Sequence, residues 1–230
     1  MRQLHSDLWI SDSPLRFLGL EVGARMTVVR LPDSTLMLHS PIAADPDLVR
    51  EVKALGSVAY IVAPNLFHHL FAGEWQRACP EAQLYVASGL EVKRADLAIA
   101  GVLTDEPEAG WSGVVDQVVV GGFPFANEVA FFHRPSATLI LTDLAFNIGP
   151  SSPRLTRAAF RLGGSYGRLS PTLLERILTK DRAAFRHSLE RILAWPFDRV
   201  VVAHGEVSEK GGREELTRGY AWLLDDGAKT

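Results

Sequence analysis

The hydrophobic pattern of the first third of the chain predicts a hairpin, a helix and a buried strand. Met26 to Arg30 and Thr35 to His39 are apolar runs on either side of a Pro-Asp-Ser turn, which predicts two paired strands. Residues 45–56, DPDLVREVKALG, place apolar side chains on one helical face between an aspartate N-cap and a glycine C-cap. The unbroken apolar run SVAYIVA, residues 57–63, is typical of a strand buried on both faces.

The next segment repeats the strand pattern after an intervening helix. A helix is predicted over residues 70–78, and QLYVA, residues 83–87, predicts the following strand. Strand, loop, helix and strand in this order form a parallel unit. Its loop, which contains Pro64, Asn65, His68 and His69, lies at the carboxyl end of the first strand. Open α/β sheets bind their ligands at such ends.

Short strands dominate again beyond Val115. The stretches VVDQVVVGG, NEVAFFHRP and ATLILTD predict a three-stranded antiparallel meander. Helices are predicted within 151–170, 170–179, 180–195 and 214–224, with a last buried strand over 197–203. The chain has no repeat, low-complexity tract or long linker, so we predict a single domain covering residues 1–230. Its fold class is α/β (α+β), with two sheets packed together and helices on the outer faces.

Composition and charge narrow the range of partners. The 24 basic and 27 acidic residues nearly cancel, and no cluster of lysine or arginine stands out, so neither nucleic acid nor an anionic membrane is expected. Cys79 is the only cysteine, which suits a reducing compartment. No apolar stretch approaches the ~20 residues of a membrane span. We therefore predict a cytoplasmic protein that acts on a small-molecule substrate, and a homo-oligomer is left open.

Polar side chains follow three of the predicted strands. His68 and His69 come after the strand at 57–63, Asp143 after the strand at 138–141, and His204 after the strand at 200–203. If these strands share one edge, their imidazole and carboxylate groups converge on one cleft. Such a donor set suits zinc, iron or manganese. A metal held there would acidify a bound water, which makes hydrolysis the reaction it supports most readily.

Each of these residues also has an ordinary structural explanation. A histidine after a strand often bonds to backbone in a loop, Asp143 in LTDLAF could form a turn or cap a helix, and His204-Gly205 could be a turn. These explanations do not predict that all four residues follow apolar strands. The repeated placement therefore favours a shared site.

The order of these motifs resembles the metallo-β-lactamase superfamily over roughly residues 8–207. LILTDLAF is similar to the family's strand that ends on a metal-bridging aspartate, which implies that role for Asp143. SLERILAWPFDRVVVAHGEV is similar to the helix and strand that lead to its last metal-binding histidine, which implies that role for His204. The sequence looks most like a branch that shares NEVAFFHRPSATLILTDLAFN. The resemblance implies an αββα sandwich of two mixed sheets and hydrolysis by metal-activated water.

The first metal motif of that superfamily, His-x-His-x-Asp-His, is degenerate in this chain. Aligning its last histidine with His69 puts Pro64, Leu66 and His68 at the other three ligand positions. The family also has a histidine in the loop before the strand of Asp143, where Glu128 is the nearest substitute. The predicted ligands are therefore His68, His69, Asp143 and His204, with Glu128 as a further candidate, and Asp143 is also the predicted catalytic residue.

Three functional hypotheses follow. The favoured one is a metal-dependent hydrolase of an ester, lactone, thioester or phosphoester, with zinc as the expected ion and iron or manganese as alternatives. The degenerate motif supports a second hypothesis, a non-catalytic and metal-free member of the fold that acts as a binding module. The third is a redox or oxygen-handling iron site, because histidine and carboxylate ligands also hold non-haem iron.

Overall fold

Two β-sheets form the centre of the computed structural model, which describes residues 1–225. The larger sheet has seven strands in the spatial order β1-β2-β5-β6-β7-β8-β9. Its strands are β1 (Arg2–His5), β2 (Leu8–Ser13), β5 (Ala24–Arg30), β6 (Leu36–His39), β7 (Val58–Ala63), β8 (Gln83–Val86) and β9 (Ile99–Val102). A short hairpin of β3 (Arg16–Phe17) and β4 (Leu20–Glu21) lies between β2 and β5 in the chain.

The second sheet has four strands in sequential order. They are β10 (Val115–Val119), β11 (Val129–His133), β12 (Thr138–Ile140) and β13 (Arg199–Val201). The first three pair antiparallel, as the meander pattern predicts, and β13 joins β12 in parallel. Because β12 and β13 run in the same direction, the residues that follow them emerge side by side at one edge.

Eight α-helices connect and cover the sheets in the described part of the chain. They are α1 (Pro46–Leu55), α2 (Ala72–Ala78), α3 (Leu90–Lys93), α4 (Arg154–Leu162), α5 (Leu173–Leu178), α6 (Arg182–Leu193), α7 (Gly212–Gly219) and α8 (Ala221–Leu224). None of these helices is both long and apolar enough to cross a membrane.

The buried side chains fall into three layers. Between the sheets, Val29 and Val62 of the larger sheet meet Phe131 and Ile140 of the smaller one. The outer face of the larger sheet is covered by α1 and α2, where Trp75 is fully buried. The outer face of the smaller sheet is covered by α6, α7 and α8. The layers are thus helix, sheet, sheet, helix, which confirms the predicted αββα fold class.

Most predicted elements occur close to their predicted bounds. The hairpin is β5 and β6, and α1 begins after the N-cap Asp45, whose carboxylate accepts from the Asp47 amide, and ends at Gly56. The strand-loop-helix-strand unit is β7, α2 and β8, and its two strands are parallel. The single-domain prediction stays a prediction, and residues 226–230 lie outside the described part.

Two features differ from the predicted pattern. Strands β1 and β9, which the pattern did not predict, are the two edge strands of the larger sheet, and their residues are half-buried or exposed. The predicted last helix divides into α7 and α8 at Tyr220, whose backbone leaves the helical conformation. The Tyr220 ring is buried and its hydroxyl donates to the Leu144 carbonyl.

The two sheets meet where β7 and β11 come together. The Val129 amide donates to the Pro64 carbonyl at 2.9 Å, and the Leu66 amide donates to the Ala126 carbonyl at 2.9 Å. These bonds fix the loop after β7 against the smaller sheet. The carboxyl ends of β6 and β7 therefore lie beside those of β12 and β13, where the candidate site forms.

Candidate metal centre

Three of the predicted ligands converge at this edge. One side-chain atom each of His68, Asp143 and His204 lies within 4.8 Å of the others. The Nε2 atom of His68 is 3.4 Å from Asp143 Oδ2, and the Nε2 atom of His204 is 3.3 Å from Asp143 Oδ1. Two imidazoles and a carboxylate at this spacing are the donor types that bind zinc or iron. The observed side chains therefore fit a single metal ion.

His204 is held by backbone groups of the larger sheet. Its Nδ1 lies 2.6 Å from the Gly23 carbonyl, which can only accept, so Nδ1 carries a proton and donates. Such a bond fixes the orientation of the ring and leaves Nε2 as the ligand atom. The next residue, Gly205, has φ +98°, and a Cβ there would lie 2.1 Å from the Asn147 carbonyl oxygen. Glycine is therefore required at this turn.

Arg25 ties the same turn to the larger sheet. This buried side chain donates to the carbonyls of Val202 at 2.7 Å and Gly205 at 2.9 Å, and to Asp12 Oδ1 at 2.7 Å. Because these carbonyls flank His204, the guanidinium fixes the backbone that presents the ring.

His68 is oriented by Ser40, which directly follows β6. Its Nδ1 shares a hydrogen bond of 2.7 Å with Ser40 Oγ, which leaves Nε2 turned towards Asp143. His39, the last residue of β6, points between the sheets and packs edge-on against Phe131, with ring centroids 5.0 Å apart. Burial, with a smaller contribution from His68, lowers the pKa of His39 to about 3.

Asn65 links the histidine loop to Asp143 and was not identified from the sequence. Its Nδ2 donates to Asp143 Oδ2 at 2.6 Å and to Thr142 Oγ1 at 2.9 Å. Its Oδ1 accepts from the amides of Phe67 at 2.9 Å and His68 at 2.8 Å. The signal present in the sequence was a Pro-Asn pair after a buried strand, a setting in which asparagine bonds to nearby backbone.

Glu128 lies beneath this network and is fully buried. Its carboxylate accepts from three consecutive amides, those of Thr142 at 2.7 Å, Asp143 at 2.7 Å and Leu144 at 3.0 Å. Burial and the charge of Asp143 raise the pKa of Glu128 to about 7, against the lowering effect of these bonds. The structure does not bring Glu128 into the cluster, because its oxygens hold the backbone that carries Asp143.

His69 also lies outside the cluster. Its Nδ1 is 2.9 Å from Nη1 of Arg94, and the residue borders the cavity in front of the site. Burial, followed by the positive charges of Lys93 and Arg94, lowers the pKa of His69 to about 4. The ligand roles of His69 and Glu128 therefore stay predictions that this arrangement does not favour.

The electrostatic surroundings keep Asp143 anionic. Burial alone raises the pKa of this carboxyl, but charge and hydrogen bonding from His68 and His204 outweigh it and hold the pKa well below its usual range. An anionic carboxylate between two imidazoles is ready to bind a cation.

The cluster opens on a cavity of about 530 Å³. This volume lies within the ~300–1,000 Å³ typical of small-molecule sites. The hairpin of β3 and β4, helix α4 and the start of α5 form its walls, together with the loops around Phe67 and Phe125. His68, Asp143 and His204 thus lie where a small substrate can reach them.

Sequence comparison places the chain in a family. The family model described as "Domain of unknown function (DUF4336)" matches residues 5–162, which is more than half of the chain. The chain belongs to the DUF4336 family. The matched region includes His68 and Asp143 and ends before His204. No curated protein matches this DUF4336 member in sequence.

Comparison with solved structures shows the fold of this DUF4336 chain. A metallo-beta-lactamase from Pontibacter korlensis has a TM-score of 0.66 at 16% identity, with 97% of each chain covered. The metallo-beta-lactamase FIM-1 from Pseudomonas aeruginosa, in its mono-zinc form, has a TM-score of 0.60 at 11% identity, with 100% of this chain and 96% of that chain covered. The chain has the metallo-β-lactamase fold, as the resemblance implied.

A flavodiiron protein shares the same fold. The Flv1 flavodiiron core from Synechocystis sp. PCC6803, in a metal-soaked structure, has a TM-score of 0.62 at 13% identity. The alignment covers 96% of this chain and 59% of that one. At these identities the likeness concerns the fold, and the chemistry has to be argued from the side chains of the DUF4336 chain itself.

Proposed function

We propose that this protein is a metal-dependent hydrolase whose single ion is held by His68, Asp143 and His204. The convergence of these three side chains at the floor of an open cavity carries the proposal. Zinc is the ion expected first, with iron and manganese as alternatives. When bound, such an ion polarises a carbonyl and lowers the pKa of water. A cytoplasmic location stays a prediction from the sequence.

The protein's own groups position the ligands. Ser40 and the Gly23 carbonyl bond to the Nδ1 atoms of His68 and His204, which directs both Nε2 atoms towards Asp143. Asn65 fixes Asp143 by donating to Oδ2. Apolar side chains line most of the cavity in front of these residues, and electrostatic interactions are stronger beside walls of low polarity.

Elemental analysis of protein purified without chelator tests the proposal. We expect stoichiometric zinc, iron or manganese in the wild type and loss of the metal in Asp143→Ala and His204→Ala. Asp116→Ala is the matched control, because Asp116 pairs with Arg134 away from the site and should leave the metal content unchanged. Ester or lactone hydrolysis should stop when the metal is removed by a chelator and return when it is restored.

A metal-free binding module is the second candidate. It is supported by Asn65, whose amide already satisfies Asp143, and by Pro64 and Leu66 at two ligand positions of the superfamily motif. Wild-type protein without stoichiometric metal, and with no uptake of added zinc, would overturn the hydrolase and favour this alternative. Stoichiometric iron together with visible colour would instead favour the redox site.

A further inference from the structure

The cavity in front of Asp143 is lined mostly by apolar side chains. Phe67, Phe123, Phe125 and Phe146 surround it together with residues of α4 and of the β3–β4 hairpin. Phe146 stacks on the His204 ring at 5.6 Å and meets Phe160 edge-on at 5.4 Å. A continuous aromatic wall therefore leads from the candidate metal ligand to helix α4.

The rim of the cavity is apolar as well. Eleven large apolar side chains are exposed in the described part of the chain, and five of them line this cavity: Phe17, Leu18, Leu70, Phe125 and Leu174. Leu18 at the tip of the β3–β4 hairpin is 83% exposed and Leu70 in the histidine loop is 58% exposed. Exposed apolar residues scattered singly need no explanation, but a group around one opening indicates a site for an apolar ligand.

Beyond the candidate metal ligands, the walls of the cavity carry few charged groups. Among the described lining residues, Arg16 and Lys93 carry permanent positive charge, and both already have partners. Arg16 binds Glu21 at 2.7 Å, and Lys93 donates to the Leu66 carbonyl at 2.6 Å. The acidic side chains of Asp143 and Glu175 also face the cavity. Away from the candidate metal ligands, the walls therefore offer no cluster of cations to an anionic group on the bound chain.

We propose that the substrate is an uncharged carboxylic ester or lactone whose apolar acyl chain occupies this cavity. The inference rests on the proposed hydrolase function and specifies its substrate class. In the reaction, the oxygen of water forms a new bond to the acyl carbon and the ester carbon–oxygen bond breaks. The alkoxy oxygen takes up a proton, and the products are a carboxylic acid and an alcohol. The apolar walls hold the chain while the reacting carbonyl lies beside Asp143 and the histidines.

Binding of uncleaved amides tests the chain preference separately from catalysis. We expect octanamide to bind the metal-loaded protein far more tightly than butanamide, because each buried methylene contributes about 0.8 kcal/mol, or about fourfold. Calorimetry should likewise show octanoate binding more tightly than butanoate, because the acyl chain and not the head group contacts the apolar walls. Equal affinities for the two amides would overturn the proposal.

Two neighbouring alanines of α4 provide matched variants. Ala159 lines the cavity, whereas Ala158 is exposed and does not. Ala159→Trp should fill the cavity and weaken octanamide binding by about tenfold or more, which corresponds to 1.4 kcal/mol, while Ala158→Trp should leave it unchanged. Circular dichroism checks that both variants fold. Equal effects of the two substitutions would contradict the assigned cavity.

Hydrolysis of a homologous ester series completes the test. The kcat/KM of p-nitrophenyl esters should rise from acetate to octanoate in the wild type, and the rise should disappear in Ala159→Trp. In Asp143→Ala, hydrolysis should be lost while octanamide still binds. If the wild type binds octanamide but hydrolyses no ester, both the hydrolase proposal and the substrate assignment are wrong. Ester hydrolysis without a preference for chain length would contradict the substrate assignment but not the hydrolase proposal.

Discussion

At the scale of single residues, Asn65 shows how one uncharged side chain organises the candidate site. Its oxygen accepts from two amides of the histidine loop, and its nitrogen donates towards Thr142, Asp143 and Glu128. Two buried carboxylates so close together repel each other, and the amide hydrogens of Asn65 offset part of that repulsion. The amide therefore holds together the loop after β7 and the turn after β12.

Asn65→Asp should destabilise the protein in a pH-dependent way. The substitution keeps the shape and the accepting oxygen but replaces the donating nitrogen by a further carboxylate oxygen facing Asp143. We expect the free energy of unfolding to fall by about 3 kcal/mol near neutral pH, the cost of an unpaired buried charge. Below about pH 5.5 the loss should shrink, because protonation of one carboxyl restores a donor.

Urea denaturation of Asn65→Asp and the wild type, near neutral pH and below about pH 5.5, measures this difference in unfolding free energy. Asn127→Asp is the control, because Asn127 makes a single amide hydrogen bond to the Ser88 carbonyl at 2.7 Å. It should cost about 1 kcal/mol. A loss for Asn65→Asp no larger than that of the control would contradict the role assigned to Asn65.

At the scale of elements, the site depends on how the strands are tied together at one edge. Asp143 follows β12 and His204 follows β13, and the parallel pairing of these strands places the two residues side by side. The turn of His204 gains its orientation from β5, through Arg25 and the Gly23 carbonyl. A contact far apart in sequence therefore sets the direction of the His204 ring.

Arg25→Lys should loosen the turn that carries His204. A lysine ammonium retains the charge but cannot reach Asp12, Val202 and Gly205 with the fixed fork of a guanidinium. We expect the free energy of unfolding to fall by about 2 kcal/mol, because hydrogen bonds from a buried charged donor are lost. Metal affinity should fall by about tenfold or more, since displaced ligands bind more weakly.

Chemical denaturation and a competition titration with a chromogenic zinc chelator measure these two effects. Arg16→Lys is the matched control, because Arg16 makes a comparable pair with Glu21 on an exposed hairpin. Exposed pairs contribute about 0–1 kcal/mol, so this variant should retain both stability and metal affinity. An unchanged zinc affinity in Arg25→Lys would show that the turn of His204 does not depend on the hydrogen bonds of Arg25.

At the scale of the whole molecule, burying neutral histidines makes stability depend on pH. His133 at the end of β11 is fully buried, and its Nδ1 shares a hydrogen bond of 2.6 Å with Ser136 Oγ. Burial, followed by the nearby His5, lowers the pKa of His133 to about 4. The unfolded chain, with a histidine pKa of about 6.5, binds a proton before the folded chain does. The contribution of His133 is thus complete above about pH 6.5 and is lost as the pH falls towards 4.

His133→Gln should reduce this acid sensitivity, because glutamine has no charge at any pH and can still bond to Ser136. We expect the fall in unfolding free energy between about pH 6.5 and 4 to be smaller than in the wild type by on the order of 3 kcal/mol. Urea denaturation of the metal-free proteins across this pH range measures the unfolding free energy. The absence of metal from both samples excludes effects of metal release. An identical pH profile in the two proteins would show that His133 is not the group responsible.

The sequence by itself determined the elements whose burial follows from local pattern. Three features were predictable because each depends on nearby residues. They are the apolar run of β7, the caps of α1 at Asp45 and Gly56, and the antiparallel meander of β10 to β12. The positions of His68, Asp143 and His204 after apolar strands were predictable for the same reason. Sequence also indicated the fold through its resemblance to a superfamily, and the structural comparisons agree.

Only the tertiary structure decided which donors meet. His68 and His69 are adjacent in sequence, yet one faces Asp143 and the other faces Arg94. Ser40, which follows β6, bonds to the His68 ring, and Arg94, which follows α3, bonds to the His69 ring. Glu128 was a ligand candidate by position in the sequence, but the fold uses it to hold the amides after β12. Side-chain direction depends on contacts between distant segments, and a one-dimensional pattern does not contain those contacts.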